Sequence, residues 1–298
     1  MPASAPDIAF LGFGEAACAF LTGFRQDAPG AIACGFDIKT ADPATAPGKL
    51  EDFHRLNVRA LEAATGLSQA PVLFSLVTAD RALDGARSVA AAGDLGGQLF
   101  CDGNSCAPET KTASAELITA AGGRYIDMAV MAPVHPHLHK TACLISGDHA
   151  TDAAKTLSGL GMNVTVTNGP VGAASMRKML RSVMIKGIEA LTLECLIAAR
   201  KAGIDGETLT SLAQTYPGID WDDRAPYNIE RVTTHGLRRA AEMREVAKTV
   251  EALGLPADMS HAIVNWQQRV GDLGLPPGEP DLPARADALL AALAQPKD

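Results

Sequence analysis

From Asp7 to about Asn168 the chain alternates between short β-type runs and helix-length segments, and after Gly172 only helix signals remain. The short runs are Ile8 to Leu11, Ala31 to Phe36, Val72 to Val77, Leu99 to Asp102, Tyr125 to Val130, Cys143 to Ser146 and Asn163 to Thr167. Between them lie helical patterns over Ala16 to Gln26, Glu51 to Ala64, Arg81 to Ala92, Glu109 to Ala121 and Ala150 to Leu160. Strand followed by helix, repeated, requires crossover connections and a mostly parallel sheet. Most of the runs are apolar at successive positions, as strands covered on both faces are. The second half reads as helices over Ala173 to Ala202, with Gly203 as the stop, then Glu207 to Gln214, Ile229 to Leu253, Ala257 to Val270 and Ala284 to Ala294. The expected fold is an α/β doubly wound sheet over residues 1–170, followed by an all-α region over 171–298 that begins with a long helix.

Two domains also follow from length, because 298 residues exceed what one core serves. A net charge of −8 argues against phosphate backbones, so no nucleic acid partner is expected. The six cysteines form no CxxC pair and read as small buried hydrophobes in a reducing compartment. The N-terminus lacks the basic start of a secretory peptide, and no apolar run reaches membrane-spanning length. A cytoplasmic protein with no membrane partner is the expectation.

Gly12-Phe13-Gly14-Glu15-Ala16-Ala17 fits G-x-G-x-x-A between an apolar strand and a helix. In such a turn the first glycine permits the tight bend. The second lets backbone approach a pyrophosphate, and the small third residue lets helix and strand pack closely. The pyrophosphate then rests on the free N–H groups of the helix start. This is the Rossmann-type dinucleotide arrangement. Asp37 follows about twenty residues later, where an acidic side chain hydrogen-bonds a ribose 2′-hydroxyl. A carboxylate there repels a 2′-phosphate and favours NAD. Lys39 beside it keeps NADP open. Leu76, Val77 and Thr78 end a strand at the edge where the nicotinamide ribose lies.

Lys178, Ser182 and Lys186 stand at i, i+4 and i+8, and so share a face of the long helix. A polar stripe among Met179, Leu180, Val183, Met184 and Ile185 needs a partner or a cavity. Read from the residues alone, two uses are equally open: a desolvated lysine poised for proton transfer, or lysines snorkelling at a domain interface.

Three motifs decide between them. The first is the N-terminal turn. The second, Asp102-Gly103-Asn104-Ser105-Cys106-Ala107-Pro108, resembles a substrate segment D-x-S-T-x-x-P. The third, Gly169 to Lys178, fits G-x-x-G-x-G-x-x-x-K with Ala174 in place of the last glycine. Together they resemble the β-hydroxyacid dehydrogenase superfamily, which includes 6-phosphogluconate and 3-hydroxyisobutyrate dehydrogenases. The resemblance implies a homodimer that transfers hydride between NAD(P) and an alcohol or carbonyl carbon of a small to medium organic substrate. It implies Lys178 as the acid/base, with Asn104, Ser105 and Ser182 orienting the substrate. Ser182 replaces the family's usual asparagine, and Met131-Ala132-Pro133 replaces a Ser-Gly-Gly carboxylate pocket. That exchange implies a larger or more apolar substrate.

His135, His137 and His139 alternate, but no carboxylate or cysteine stands at ligand spacing, so no metal is expected. His135 reads as a substrate contact on a loop, and Trp221 as a pocket residue or plain helix packing. Three rivals share the scaffold. An imine reductase usually holds Asp or Tyr where this chain has Lys178. The others are an enzyme whose oxidation step labilises a C–C bond, by decarboxylation or retro-aldol cleavage, and a nucleotide sensor without chemistry.

Overall fold

The computed structural model of the chain describes residues 5–295. They divide into two compact units that meet at Met179 and Leu180, against the expected boundary near residue 170. Unit 1 runs β1 (Ile8–Leu11), α1 (Glu15–Asp27), β2 (Ala33–Phe36), α2 (Ala46–Arg55), β3 (Arg59–Ala60), β4 (Val72–Ser75), α3 (Ala82–Ala90), β5 (Leu99–Asp102), α4 (Pro108–Ala120), β6 (Arg124–Val130), β7 (Cys143–Ser146), α5 (Ala150–Gly159) and β8 (Val164–Val166). The helix α6 (Ala173–Ala202) starts in unit 1 and continues into unit 2. Unit 2 adds α7 (Asp205–Thr215), α8 (Trp221–Ala252), α9 (Asp258–Gly271) and α10 (Leu282–Leu293).

Among the described residues the strands form one sheet in the order β3-β2-β1-β4-β5-β6-β7-β8. Every pairing is parallel except β6 with β7. The first six strands therefore have the doubly wound order of dinucleotide-binding folds, extended by a reversed pair. Side chains alternate across the sheet as a period of two requires. Ile8, Phe10, Val72, Phe74, Ile126 and Met128 enter one core. Ala9, Leu11, Leu73, Phe100 and Tyr125 enter the other. Both faces are thus covered, which is why the strands lack polar alternation.

Two expected elements differ. The pattern over Glu51 to Ala64 is not one helix. α2 ends at Arg55, Asn57 takes a φ of +44°, and the chain leaves as the short strand β3. That left-handed step cannot continue a helix. α8 starts at Trp221 rather than Ile229, with Asp220 accepting from the Asp223 N–H at 3.2 Å as its cap and Pro226 taken into the second turn. In unit 2, α8 and α9 cross at Gly236 and Gly271. A Cβ at Gly236 would lie 2.5 Å from the Gln267 carbonyl oxygen and 2.8 Å from Gly271 Cα, so only glycine admits this approach. Leu193, Leu196, Ile229, Val232, Val270 and Leu289 pack the core of this unit.

The start of α6 rests on a buried carboxylate. Asp127, on β6, is 0 % exposed. Its Oδ2 accepts from the N–H groups of Gly172 (3.1 Å) and Ser175 (3.0 Å) and from Ser146 Oγ (3.0 Å). Its Oδ1 accepts from Ser175 Oγ at 2.5 Å. Ser146 Oγ in turn accepts from the Ala174 N–H at 2.9 Å. The first N–H groups of a helix lack intrahelical partners and carry partial positive charge, so a carboxylate suits them. Truncating Asp127 strands several buried donors at once. In urea denaturation of the full chain, Asp127→Ala is expected to lower the stability of unit 1 by about 3–5 kcal/mol. A change within experimental error would contradict this role.

Candidate functional site at the carboxyl edge of the sheet

The loops that leave β1, β4 and β5 meet at one edge of the sheet. Gly12 has a φ of +81°, and a Cβ there would lie 2.7 Å from the Leu76 carbonyl oxygen and 2.8 Å from Val77 Cγ1. The turn after β1 therefore packs directly on the residues that leave β4. Over Gly14 an added Cβ would meet nothing within 4 Å, and no side chain caps α1, which starts at Glu15 with Ala16 next. An open glycine surface before an uncapped helix start is the backbone cradle that a pyrophosphate needs.

Phe13 differs from its expected role. Its ring is 0 % exposed and stacks on Phe53 at 4.5 Å, and its N–H is donated to Asp37 Oδ2 at 2.8 Å. Its carbonyl accepts from Lys49 Nζ at 2.8 Å. Phe13 is thus an internal anchor of the turn, not a group open to a ligand. Asp37 Oδ1 accepts from the Lys39 N–H at 3.0 Å, so the carboxylate ties the glycine turn to the start of the next loop while staying part-exposed. The Lys39 residue is exposed beside it.

Asn104 also departs from expectation. It is 3 % exposed, and both ends of its amide are used inside the protein. Oδ1 accepts from the Val77 N–H at 2.7 Å, and Nδ2 donates to Ser75 Oγ at 2.8 Å. It binds the loop after β5 to the loop after β4, and so holds Val77 in place instead of presenting an amide to a substrate. Ser105, one residue on, is part-exposed, and its Oγ accepts from Lys178 Nζ at 2.6 Å. Lys178 is part-exposed on the first turns of α6. Gly12, Leu76, Val77, Asn104, Ser105 and Lys178 are thereby joined by a continuous set of contacts within unit 1.

Beneath this group lies a charged network that the periodicity of the chain hid. Lys111, on α4, is 0 % exposed. Its Nζ donates to Asp102 Oδ1 at 2.9 Å and to the Asp102 carbonyl at 2.6 Å, and it stands 3.7 Å from Asp127 Oδ1. Burial works against its charge, but Asp102 and Asp127 outweigh it and hold the ammonium well above the usual lysine range. Asp102 Oδ1 accepts from the Asn104 N–H at 3.0 Å, and Oδ2 accepts from the Tyr125 hydroxyl at 2.6 Å. Burial, and then the Asp102 charge, push the Tyr125 phenol up. The one available signal for Lys111 was its phase: it shares a helix face with the buried Ser114 and Ile118.

The remaining expected residues come from the loop after β6 and from unit 2. Met131 follows β6, part-exposed, with its N–H on the Ala142 carbonyl at 2.9 Å. His135 and His137 are exposed, while His139 is 1 % exposed against Asp27, with Nε2 and Oδ2 3.0 Å apart. Ser182 belongs to unit 2, where it is 5 % exposed and accepts from Lys186 Nζ at 3.3 Å. Trp221, also in unit 2, stands at the first turn of α8 with its ring 6.4 Å from that of Tyr216.

Comparison with known proteins matches this geometry. Residues 199–270 match a domain of unknown function, DUF1932. The crystal structure of a conserved hypothetical protein from Sinorhizobium meliloti 1021 is 34% identical, covers 97% of each chain, and superimposes with a TM-score of 0.70. The conserved protein MTH1747, of unknown function and described as structurally similar to 3-hydroxyacid dehydrogenases, is 27% identical. The match covers 89% of this chain and 96% of that one, with a TM-score of 0.65. A Mycobacterium tuberculosis 3-hydroxyisobutyrate dehydrogenase in complex with L-serine shares the fold over 97% of this chain and 99% of its own, with a TM-score of 0.70 at 16% identity. At 34% identity over 97% of both chains, the chain belongs to one family with the Sinorhizobium meliloti protein, and its doubly wound sheet with a helical C-terminal region is the fold of the hydroxyacid dehydrogenases.

Proposed function

We propose that the chain is an NAD(P)-dependent oxidoreductase that interconverts an alcohol and a carbonyl, with Lys178 as the proton carrier. The observation that carries the reading is the 2.6 Å contact between Lys178 Nζ and Ser105 Oγ, one loop away from the Gly12–Gly14 turn. The residues present fit a dinucleotide: an open surface over Gly14, an uncapped helix start, and Asp37 at the end of β2. A carboxylate at that position repels a 2′-phosphate, which favours NAD over NADP. When bound, a nicotinamide ring supplies the hydride acceptor or donor.

The protein's part is proton handling and orientation. In the oxidation direction, neutral Lys178 takes the substrate hydroxyl proton onto Nζ, and in reduction the ammonium returns it to the carbonyl oxygen. Ser105 Oγ, already within hydrogen-bond distance of Nζ, fixes the direction of the amine. Asn104 holds the loop that carries Ser105, and Asp127 holds the helix that carries Lys178. Lys178→Ala is expected to cut turnover by about two to four decades while the Kd for NADH, read by fluorescence titration, stays within about threefold. Turnover at the parent level would remove Lys178 from the reaction.

The active form on this reading is a homodimer. Supporting it, the part of α6 in unit 2 exposes Leu180 (41%), Met184 (64%) and Leu191 (56%), with Cys195 also exposed in the same helical phase. Apolar rows of this kind mark interfaces between chains. Light scattering on the parent protein is expected to give twice the chain mass, and Met184→Glu with Leu191→Glu to give the single-chain mass. A parent protein of single-chain mass would contradict the dimer. No helix of the described residues is long and apolar enough to cross a membrane.

A further inference from the structure

A cavity of about 420 Å³ opens in unit 1 at the edge of the sheet where β2 and β3 begin. β1, β2 and β3 run parallel, so this edge is opposite the one that carries the glycine turn. The volume is in the range of small-molecule pockets. Arg25 in the last turn of α1, Gly30 and Ile32 before β2, and Asn57, Val58 and Arg59 at β3 line it. Two arginines are the only charged residues of the lining, in a chain whose net charge is −8.

Both arginines lack a counter-charge. Arg25 Nε donates to the Ala31 carbonyl at 3.3 Å, Nη2 to the Asn57 carbonyl at 3.1 Å, and Nη1 to the Leu56 carbonyl. These bonds fix the head between the loops on either side of the cavity. A guanidinium has five N–H groups, so one stays free on each terminal nitrogen. Burial alone pushes Arg25 below the usual arginine range, with no carboxylate to hold it up. Arg59, exposed on β3, donates from Nη2 to Gln69 Oε1 at 2.8 Å and stands beside the Cys34 thiol. Neither arginine forms an ion pair among the described residues. Asp7 Oδ2 accepts from the Ile32 N–H at 2.9 Å, but Asp7 does not line the cavity.

Two more donors belong to the same wall. The Gly30 N–H has no acceptor among the described residues, and a Cβ on Gly30 would meet nothing within 4 Å, so the backbone there is open to a ligand. The Asn57 side-chain amide likewise makes no hydrogen bond among the described residues. A wall of donors without a carboxylate suits a group that is negative and rich in acceptor oxygens.

We propose that Arg25, Arg59, Asn57 and the Gly30 N–H form a binding site for the phosphate group of a small phosphorylated ligand. Two guanidiniums match the charge of a phosphate monoester, about −1.5 to −2 at neutral pH, and its three terminal oxygens can accept from all four groups. The site stands apart from Lys178 and does not depend on the oxidoreductase reading.

NMR of the ¹⁵N-labelled full-length protein tests it. Inorganic phosphate replaces chloride stepwise at constant ionic strength near neutral pH. The Gly30 N–H, the Asn57 side-chain amide and the Arg25 Nε–H are expected to shift saturably with one shared Kd. Gly12 and Gly14 report separately on the dinucleotide turn. Arg59→Ala is expected to weaken the Kd read at Gly30 about tenfold, and Arg59→Lys, which keeps the charge but loses the fork, about threefold. Circular dichroism confirms that each variant is folded, and the lysine variant decides if the alanine variant is not. Shifts at Gly30 that rise without saturating, shifts confined to Gly12 and Gly14, or a parent Kd in the folded variants would overturn the site. Succinate binding there as tightly as phosphate would overturn its assignment to a phosphate group.

Discussion

Lys111 stands at zero exposure between two aspartates that are equally buried, and neither carboxylate is tolerable there without it. Removing charged groups from water is unfavourable unless they are paired and their remaining hydrogen-bonding capacity is met. One ammonium does not neutralise two carboxylates. The balance comes from dipoles: the Tyr125 hydroxyl on Asp102, and the serine hydroxyls and the amino end of α6 on Asp127. The network therefore requires the helix to begin where it does. A shift of one residue would move Gly172 and Ser175 off the carboxylate.

That requirement reaches the chemistry in two steps. Asp127 sets the start of α6, and Lys178 stands less than one turn beyond Ser175. Asp102 sets the loop after β5, through Asn104, and Ser105 follows on that loop. Lys111 touches both aspartates, so the two halves of the Lys178–Ser105 contact share one buried support. Asn104 adds a third tie, to the residues that leave β4 and border the glycine turn. Lys178, the proton carrier of the proposed reaction, is thus held from below by groups buried beneath it.

Much of this architecture can be read from the residues. Leu99 to Asp102, Cys143 to Ser146 and Ala173 to Ala202 are placed by their apolar runs alone, because their environments agree with local preference. The failures have physical causes. Asn57 breaks the helix expected over Glu51 to Ala64 through a backbone step that no hydrophobic pattern encodes. Lys111 is marked in the sequence only by its helical phase, since the two carboxylates that justify its burial stand on the strands on either side of α4. Asn104 resembles a substrate contact by motif, yet its amide is used internally. Motifs identify which residues gather at a site. They do not say which of them face the ligand and which hold the others.

The most direct test of the account is a crystal structure of the full chain with NADH bound. The account predicts pyrophosphate oxygens on the backbone around Gly14 and the first turn of α1, with the reactive carbon of the nicotinamide ring turned toward Lys178 Nζ. A dinucleotide seated away from the glycine turn, or a ring whose reactive carbon faces away from that amine, would contradict it.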